Sequence, residues 1–179
     1  MSAIEQLVEP VSLLLSYEEQ YRRRHTEKRG GDLGKGNAFL AFRCGEKDYL
    51  LEMSSVLEVV SDKVSASSLP FSKPWLLGLV NHRGEIYSVV DFLLYSTKSN
   101  AKASKISNYL FLRGVADGYV LKVGEVFGIR SLTANVEATP DAAHSWIAGA
   151  INVDNKDMLV INVSKLIAER SFIEASCLE

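Results

Sequence analysis

The sequence is poor in the residues that build metal and redox centres. Of its 179 residues only two are cysteine and three are histidine. Cys44 and Cys177 lie far apart and make no C-x-x-C pair; a long-range disulfide stays open, and two reduced thiols in a cytosolic protein are the expected state. His25, His82 and His144 have no ligand spacing, which argues against zinc. There is no G-x-S-x-G elbow, H-E-x-x-H or dinucleotide fingerprint, and the GKG at 34–36 lacks the frame of a phosphate loop. No two acidic residues make an evident acid–base pair. An enzyme is therefore not expected, and no cofactor or metal is implied. No run approaches the ~20 apolar residues of a membrane span. Glu5 and Glu9 occupy the N-terminus in place of a basic region followed by a long apolar run, so neither signal peptide nor membrane insertion is expected, and the chain reads as cytoplasmic. Net charge is −2, too small to draw in nucleic acid or anionic lipid. What the chain does have is 47% hydrophobic and 23% charged residues, enough for one sizeable domain or two small halves sharing a core.

Taken in order, residues 1–28 read as a helix. Glu9-Pro10 suits a helix start, and Leu7, Val11, Leu14 and Tyr21 recur near helical spacing. The polar face ends in Arg22-Arg23-Arg24, a run that complements the negative end of a helix dipole. A nucleic-acid patch is the sharper reading of that run, but no aromatic platform or second basic cluster accompanies it. Residues 29–36 form a flexible linker, so 1–36 is an appendage on a domain spanning 37–179. That domain begins with a strand at 38–43, a turn at Gly45 to Asp48 and a return strand at 49–53. Ser54-Ser55 is placed to cap a short helical turn over 56–60. A serine-rich connection covers 61–73, and Phe92 to Tyr95 closes the first unit. A polar loop follows at 96–107, then strands at 109–113 and 119–123 around Asp117-Gly118. Beyond the segment 124–132 and a loop with Pro140 and Asp141, Trp146 opens a last strand pair turned at Asp154-Asn155. A C-terminal helix is expected over 164–176, with Leu166, Ile167, Phe172 and Ile173 facing the body.

The stretch 74–92, PWLLGLVNHRGEIYSVVDF, organises the rest. Two apolar strands flank the turn Asn81-His82-Arg83-Gly84, whose Asn81 and Gly84 suit positive φ. His82 and Arg83 are not required by turn chemistry, and polar side chains on a loop held by two apolar strands are candidates for function. The stretch also recurs. Trp75, Gly78, Asn81, Val90 and Asp91 have counterparts 71 residues later in Trp146, Gly149, Asn152, Ile161 and Asn162. The same offset upstream pairs Phe39 with Leu110, Leu50 with Leu121 and Val56 with Phe127. An internal repeat follows, in halves of about 37–95 and 109–167. Each has the size of a small SH3-like barrel, which buries too little surface alone, so two linked barrels sharing one core are predicted. Asp91 is expected to cap the turn that follows it, and both tryptophans are expected in packing roles.

PWLLGLVNHRGEIYSVVDF resembles the signature of the CheW-like family: an apolar run, N-x-R-G, then V-[VI]-D-[LF]. YLLEMSSVLEVV is similar to the family's strand followed by V-x-E-V; YLFLRGVADGYVLKVGEVFGI and WIAGAINVDNKDMLVINVSKL resemble its later segments. The likeness covers about 38–167. LLLSYEEQYRRR is in addition similar to the N-terminus of PilI adaptors of type IV pilus (twitching motility) systems. The resemblance implies an all-β core of two intertwined five-stranded SH3-like β-barrels with flanking N- and C-terminal helices. It also implies a non-enzymatic scaffold that joins the cytoplasmic tip of a methyl-accepting chemoreceptor to the CheW-like domain of a CheA-type histidine kinase. The motif arginine falls on Arg83 and the motif glutamate on Glu58, two residues expected to face each other near the binding surface. His82 stands where an apolar residue is usual, a departure that bears on partner preference or pH response. Asn81 and Gly84 belong chiefly to the turn. From the residues alone, Arg83 is either an exposed ion-pair partner or a charged anchor. A small-ligand-binding sensory barrel and a nucleic-acid-binding SH3-like or OB-like protein are the alternative readings.

Overall fold

Unbroken apolar runs at 38–42 and 49–51 make the middle of β1 (Asn37–Cys44) and β2 (Lys47–Glu52) a hairpin with no solvent face. The computed structural model describes residues 37–61, 63–97, 106–113, 118–132 and 144–175; the helix and linker expected over 1–36, most of the loop at 96–107, Asp117 and the loop with Pro140 and Asp141 lie outside them. A 3-10 turn (Met53–Ser55) leads into β3 (Val56–Val60), then β4 (Leu76–His82), β5 (Glu85–Asp91) and α1 (Phe92–Thr97). The second half supplies β6 (Asn108–Leu112), β7 (Tyr119–Val123), β8 (Val126–Leu132), β9 (Ile147–Val153) and β10 (Lys156–Ile161), followed by the short helices α2 (Val163–Ala168) and α3 (Arg170–Ile173).

The strands form two five-stranded sheets, ordered β8-β1-β2-β10-β9 and β3-β6-β7-β5-β4. Neither is built from one half of the chain. Each takes a leading hairpin from one half and three strands from the other, joined by antiparallel β1–β8 and β3–β6 contacts and parallel β2–β10 and β5–β7 contacts. The two halves therefore exchange hairpins, which is what intertwining means here. Both sheets curl into barrels: Phe127 of β8 and Val153 of β9, on opposite edges, pack on one cluster with Phe39, Ala41, Leu50, Ile151, Met158 and Val160. In the second barrel Val60 of β3 and Val80 of β4 likewise meet around Tyr87, Val89, Tyr109, Phe111 and Val120.

Period-two alternation then explains the shared core. Phe39 and Ala41 point into the first barrel, while Leu40, Phe42 and Cys44 point to a central cluster that also holds Tyr49, Leu51, Leu110, Leu121, Phe92, Trp146 and Leu166. Leu110 and Leu112 of β6 reach the same cluster from the other barrel. The repeat is real, but its upstream register is not the one expected. Phe39 and Tyr109 both line barrel interiors, as do Leu50 and Val120, so the offset over β1–β3 is 70. Val56 corresponds to Val126, since Val56 pairs with Leu112 as Val126 pairs with Phe42. The extra residue falls between β3 and β4 on one side and β8 and β9 on the other. A one-residue slip flips every side chain to the opposite face, so pairing Phe39 with Leu110 would put a barrel residue in the central core.

Other expectations shift for local reasons. Residues 56–60 are strand rather than helical turn, in keeping with their β-branched valines. The turn at Gly45 to Asp48 shortens to Gly45-Glu46, and Asp48 joins β2 to hold Arg43 through two hydrogen bonds. Phe92 to Thr97 is helical, and Ser96, assigned to the loop, is buried in it. Asp91 does cap this helix, accepting from the Leu94 amide, and Asn162 does the same for Lys165. Asp91 also takes Lys122 Nζ at 2.9 Å, so its nearly buried charge is paired. The C-terminal helix breaks at Glu169, whose backbone is extended; Phe172 turns into the core and Ile173 turns out to solvent. Trp146 is fully buried, whereas Trp75 is only half-buried and stacks on Phe172.

Gly78 fixes how the connection over 61–73 returns. Ser67 and Leu79 exchange backbone hydrogen bonds of 2.8 and 2.9 Å, and a Cβ on Gly78 would sit 2.0 Å from the Ser67 carbonyl oxygen. Gly84, also at positive φ, has nothing within 4 Å of the same point. Gly78→Ala should thus cost about 2–4 kcal/mol in urea unfolding, and Gly84→Ala only about 1 kcal/mol. Equal losses would show that the Ser67 bridge does not constrain the position.

Burial gives a second prediction. It pushes the Cys44 thiol from 9.0 up to about 12, with the charge of Asp91 adding to it, and it pushes the Tyr95 hydroxyl from 10.0 up to about 12. As pH rises through 9.0 and 10.0 the unfolded chain releases protons that the folded chain keeps, so stability falls from there towards about 12 and is untouched at neutral pH. Urea midpoints should decline over that alkaline range, and Cys44→Ala should flatten the decline.

Candidate functional site

The second barrel closes through side chains. β3 and β4 are the two edges of their sheet, and no ladder joins them among the described residues. Glu58, on β3 beside a bulge between Val56 and Glu58, reaches across the gap. Its carboxylate accepts from His82 Nε2 at 3.0 Å, and Arg83 Nη2 lies 3.0 Å from each of its oxygens. One carboxylate thus ties the strand opposite it and the turn beyond that strand.

The turn is tighter than the sequence suggested. Asn81 and His82 are the last residues of β4, and only Arg83 and Gly84 form the loop, both at positive φ (54° and 88°). That pattern is a two-residue type I′ turn, in which Asn or Gly is favoured at both places because a Cβ there is crowded. Asn81 contributes from the strand, accepting the Gly84 amide at 3.2 Å. The corresponding turn in the other half, Asp154-Asn155, carries residues that suit positive φ. Arginine at the first position costs backbone energy, so geometry alone would not select it, and an observed strain of this kind points towards a role for the side chain.

His82 is held more firmly than Arg83. Its ring centroid lies 4.3 Å from that of Phe111 and 6.3 Å from that of Tyr87, and Tyr87 packs edge-on against Phe111. The Tyr87 hydroxyl donates to Glu85 at 2.7 Å, and that bond, ahead of burial, raises its pKa. The side chains of His82 and Glu58 are about three-quarters buried, while that of Arg83 is 75% exposed. Around this polar seam stand three exposed apolar residues, Leu57 and Val59 of β3 and Ile86 of β5. A partner meeting this face would find an anchored carboxylate, a guanidinium with unused donors, and an apolar surround.

Glu58 and Arg83 therefore face each other as the resemblance implied, and His82 completes the group. Asn81 and Gly84 are structural neighbours of it. Tyr87, Glu85 and Phe111 support the site, and sequence reading did not single them out. The alternation Tyr87-x-Val89 pointed Tyr87 inward, but Phe111 reaches the seam only in the register offset by 70. His144 stacks on Trp146 elsewhere, and no group of three or more metal-ligating side chains occurs among the described residues. Among those residues no helix is long and apolar enough to cross a membrane.

Comparison with known proteins agrees with this fold. Residues 38–171 match the CheW-like domain. The chain is 29% identical to the protein FrzA of Myxococcus xanthus over 137 residues, covering 72% of this chain and 84% of that one. It is 23% identical to the chemotaxis protein CheW of Rhizobium meliloti (strain 1021) over 139 residues, 73% of this chain and 87% of that one. The crystal structure of the scaffolding protein TtCheW from Thermoanaerobacter tengcongensis shares the fold, with a TM-score of 0.64 at 23% identity over 71% of this chain and 89% of that one.

The exposed ion pair should hold little of the fold. In a double-mutant cycle of Glu58→Gln and Arg83→Ala, the coupling in urea unfolding should be about 0.2–1 kcal/mol. Arg83→Asn should leave stability unchanged or raise it, because asparagine accepts the turn's positive φ. A coupling well above that range would make the pair a structural clamp.

Proposed function

The chain belongs to the CheW-like family, and from that premise we propose that it is a non-enzymatic chemosensory scaffold coupling a methyl-accepting chemoreceptor to a CheA-type histidine kinase. The observation that carries the reading is Arg83, a mostly exposed guanidinium held at a strained turn by a carboxylate on the opposite barrel edge. Such a group adds little to folding and is well placed to exchange its partner for an acidic group on another protein. Leu57, Val59 and Ile86 would supply the apolar part of the contact, and Glu58 and His82 would keep the arginine in register.

On this reading the protein performs no chemistry. It offers separate surfaces to receptor and kinase, and a change in receptor conformation shifts the kinase equilibrium by the difference in contact energy between the two states. Coupling acts in the cytoplasm, where the receptor tip and the kinase meet. The similarity of LLLSYEEQYRRR to the N-terminus of PilI adaptors supports type IV pilus signalling and twitching motility as the output.

Arg83→Glu reverses the charge without disturbing the core. Co-sedimentation of this variant with receptor-bearing membranes and the kinase should fall at least about tenfold, since loss of a charged anchor at an interface costs on the order of 2–5 kcal/mol, while its urea midpoint stays near that of the parent. Undiminished ternary assembly would sink the assignment of Arg83.

A further inference from the structure

The two barrels share one plan, and the second shows what the first lacks. Ala41 pairs with Gly128 as Phe111 pairs with Glu58, and Val153 pairs with Lys156 as His82 pairs with Glu85. By the same register Met158 corresponds to Tyr87, being opposite Ile151 as Tyr87 is opposite Val80. The residues that plug the seam of the second barrel, Phe111, Glu58, His82 and Tyr87, are thus replaced by Ala41, Gly128, Val153 and Met158. Ala41 and Gly128 are much smaller than the residues they replace, and Val153 and Met158 are somewhat smaller. A Cβ placed on Gly128 would meet nothing within 4 Å. What remains is a cavity of about 190 Å³ at the seam between β8 and β9.

Its lining is chemically divided. Ala41, Phe127, Val153 and Met158 give an apolar floor, and Arg43, Arg130 and Lys156 stand at the rim with Asp48 and Asp154. Asp48 is committed to Arg43 through bonds of 2.7 and 3.0 Å, and the same guanidinium lies 5.1 Å over the Phe127 ring. That clamp fixes one wall before any ligand arrives, so less freedom is lost on binding. Neither Arg130 nor Lys156 forms an ion pair among the described residues, and Asp154 alone opposes them. The uncommitted charge of the rim is positive.

We propose that this seam is a binding site for a small anionic amphiphile: a compact aromatic or aliphatic body seated on Ala41, Phe127, Val153 and Met158, with its carboxylate or phosphate monoester at Arg130 and Lys156. Drug-sized ligands occupy ~300–1,000 Å³, so the cavity selects molecules on the scale of benzoate. The site lies on the other barrel from Arg83 and is independent of the adaptor reading.

The test is a titration of the full chain, followed by NMR of methyl-labelled alanine, valine and methionine, with benzoate, phenyl phosphate and neutral benzamide. Saturable shifts of the Ala41, Val153 and Met158 methyls are expected with one or both anions, and the stronger of the two identifies the head group. Benzamide should bind at least about tenfold more weakly, as should benzoate to Arg130→Glu, because a charge-assisted hydrogen bond is lost in each case. Val153→Phe, at the half-buried edge of the cavity, should abolish the shifts, while the Val89 methyl of the second barrel reports an intact fold throughout. Absence of saturation, or shifts that persist unchanged in both variants, would overturn the proposal.

Discussion

Everything in this fold follows from two hairpins that have no surface to give to water. β1–β2 and β6–β7 are apolar on both faces, so each needs a barrel interior on one side and a second packing surface on the other. A single barrel cannot supply both, because its outer face meets solvent. Two barrels set back to back can, provided that the hairpins lie between them. Phe42, Tyr49, Leu110 and Leu121, each at most 3% exposed, are the measure of that arrangement. Joining a hairpin from one half to three strands from the other then makes the central core and both barrel cores depend on each other.

The strands left at the barrel edges have another problem, since unpaired backbone at a sheet edge invites other chains. In the second barrel Glu58 spans the edges and takes both His82 and Arg83. In the first, the corresponding positions are small or apolar and leave a gap with a cationic rim. One architecture thus carries two differently finished seams, one filled and ionic, the other open. Divergence of this sort is open to a duplicated unit because each seam is peripheral: changing it leaves the shared centre untouched.

Much of this was legible in the sequence. The recurrence of Trp75, Gly78, Asn81 and Asp91 reported a repeat, and the SH3-like barrel pair followed from the size of the halves and the family resemblance. Glu58 and Arg83 were found through motif positions, and their side chains meet at 3.0 Å. What the sequence concealed was register. Leu110 and Leu121 are as apolar as Tyr109 and Val120, so a strand buried on both faces gives no alternation by which to tell odd positions from even. The exchange of hairpins was announced only by the family resemblance, as parallel β2–β10 pairing leaves no turn in the chain to signal it. His82 looked like a loop residue because N-x-R-G reads as a four-residue turn, whereas the backbone needs only two residues there. The exposure of Leu57, Val59 and Ile86 depends on where strands end at an edge, which composition does not encode.

The exchange also sets an order of events during synthesis. β1 and β2 are made before the other described strands, yet their neighbours β8 and β10 come from the far end of the described chain. The leading hairpin, among the most apolar segments, has no lasting place to go until β10 has been made. Strands β3 to β5 wait in the same way for β6 and β7. Neither barrel is a folding unit in its own right, and closing such distant contacts is slow because the loop entropy comes due before the contacts form. For a protein of this topology, the nascent chain carries an unpartnered apolar hairpin until the far strands are made, and unpaired strand edges of that kind are prone to aggregate.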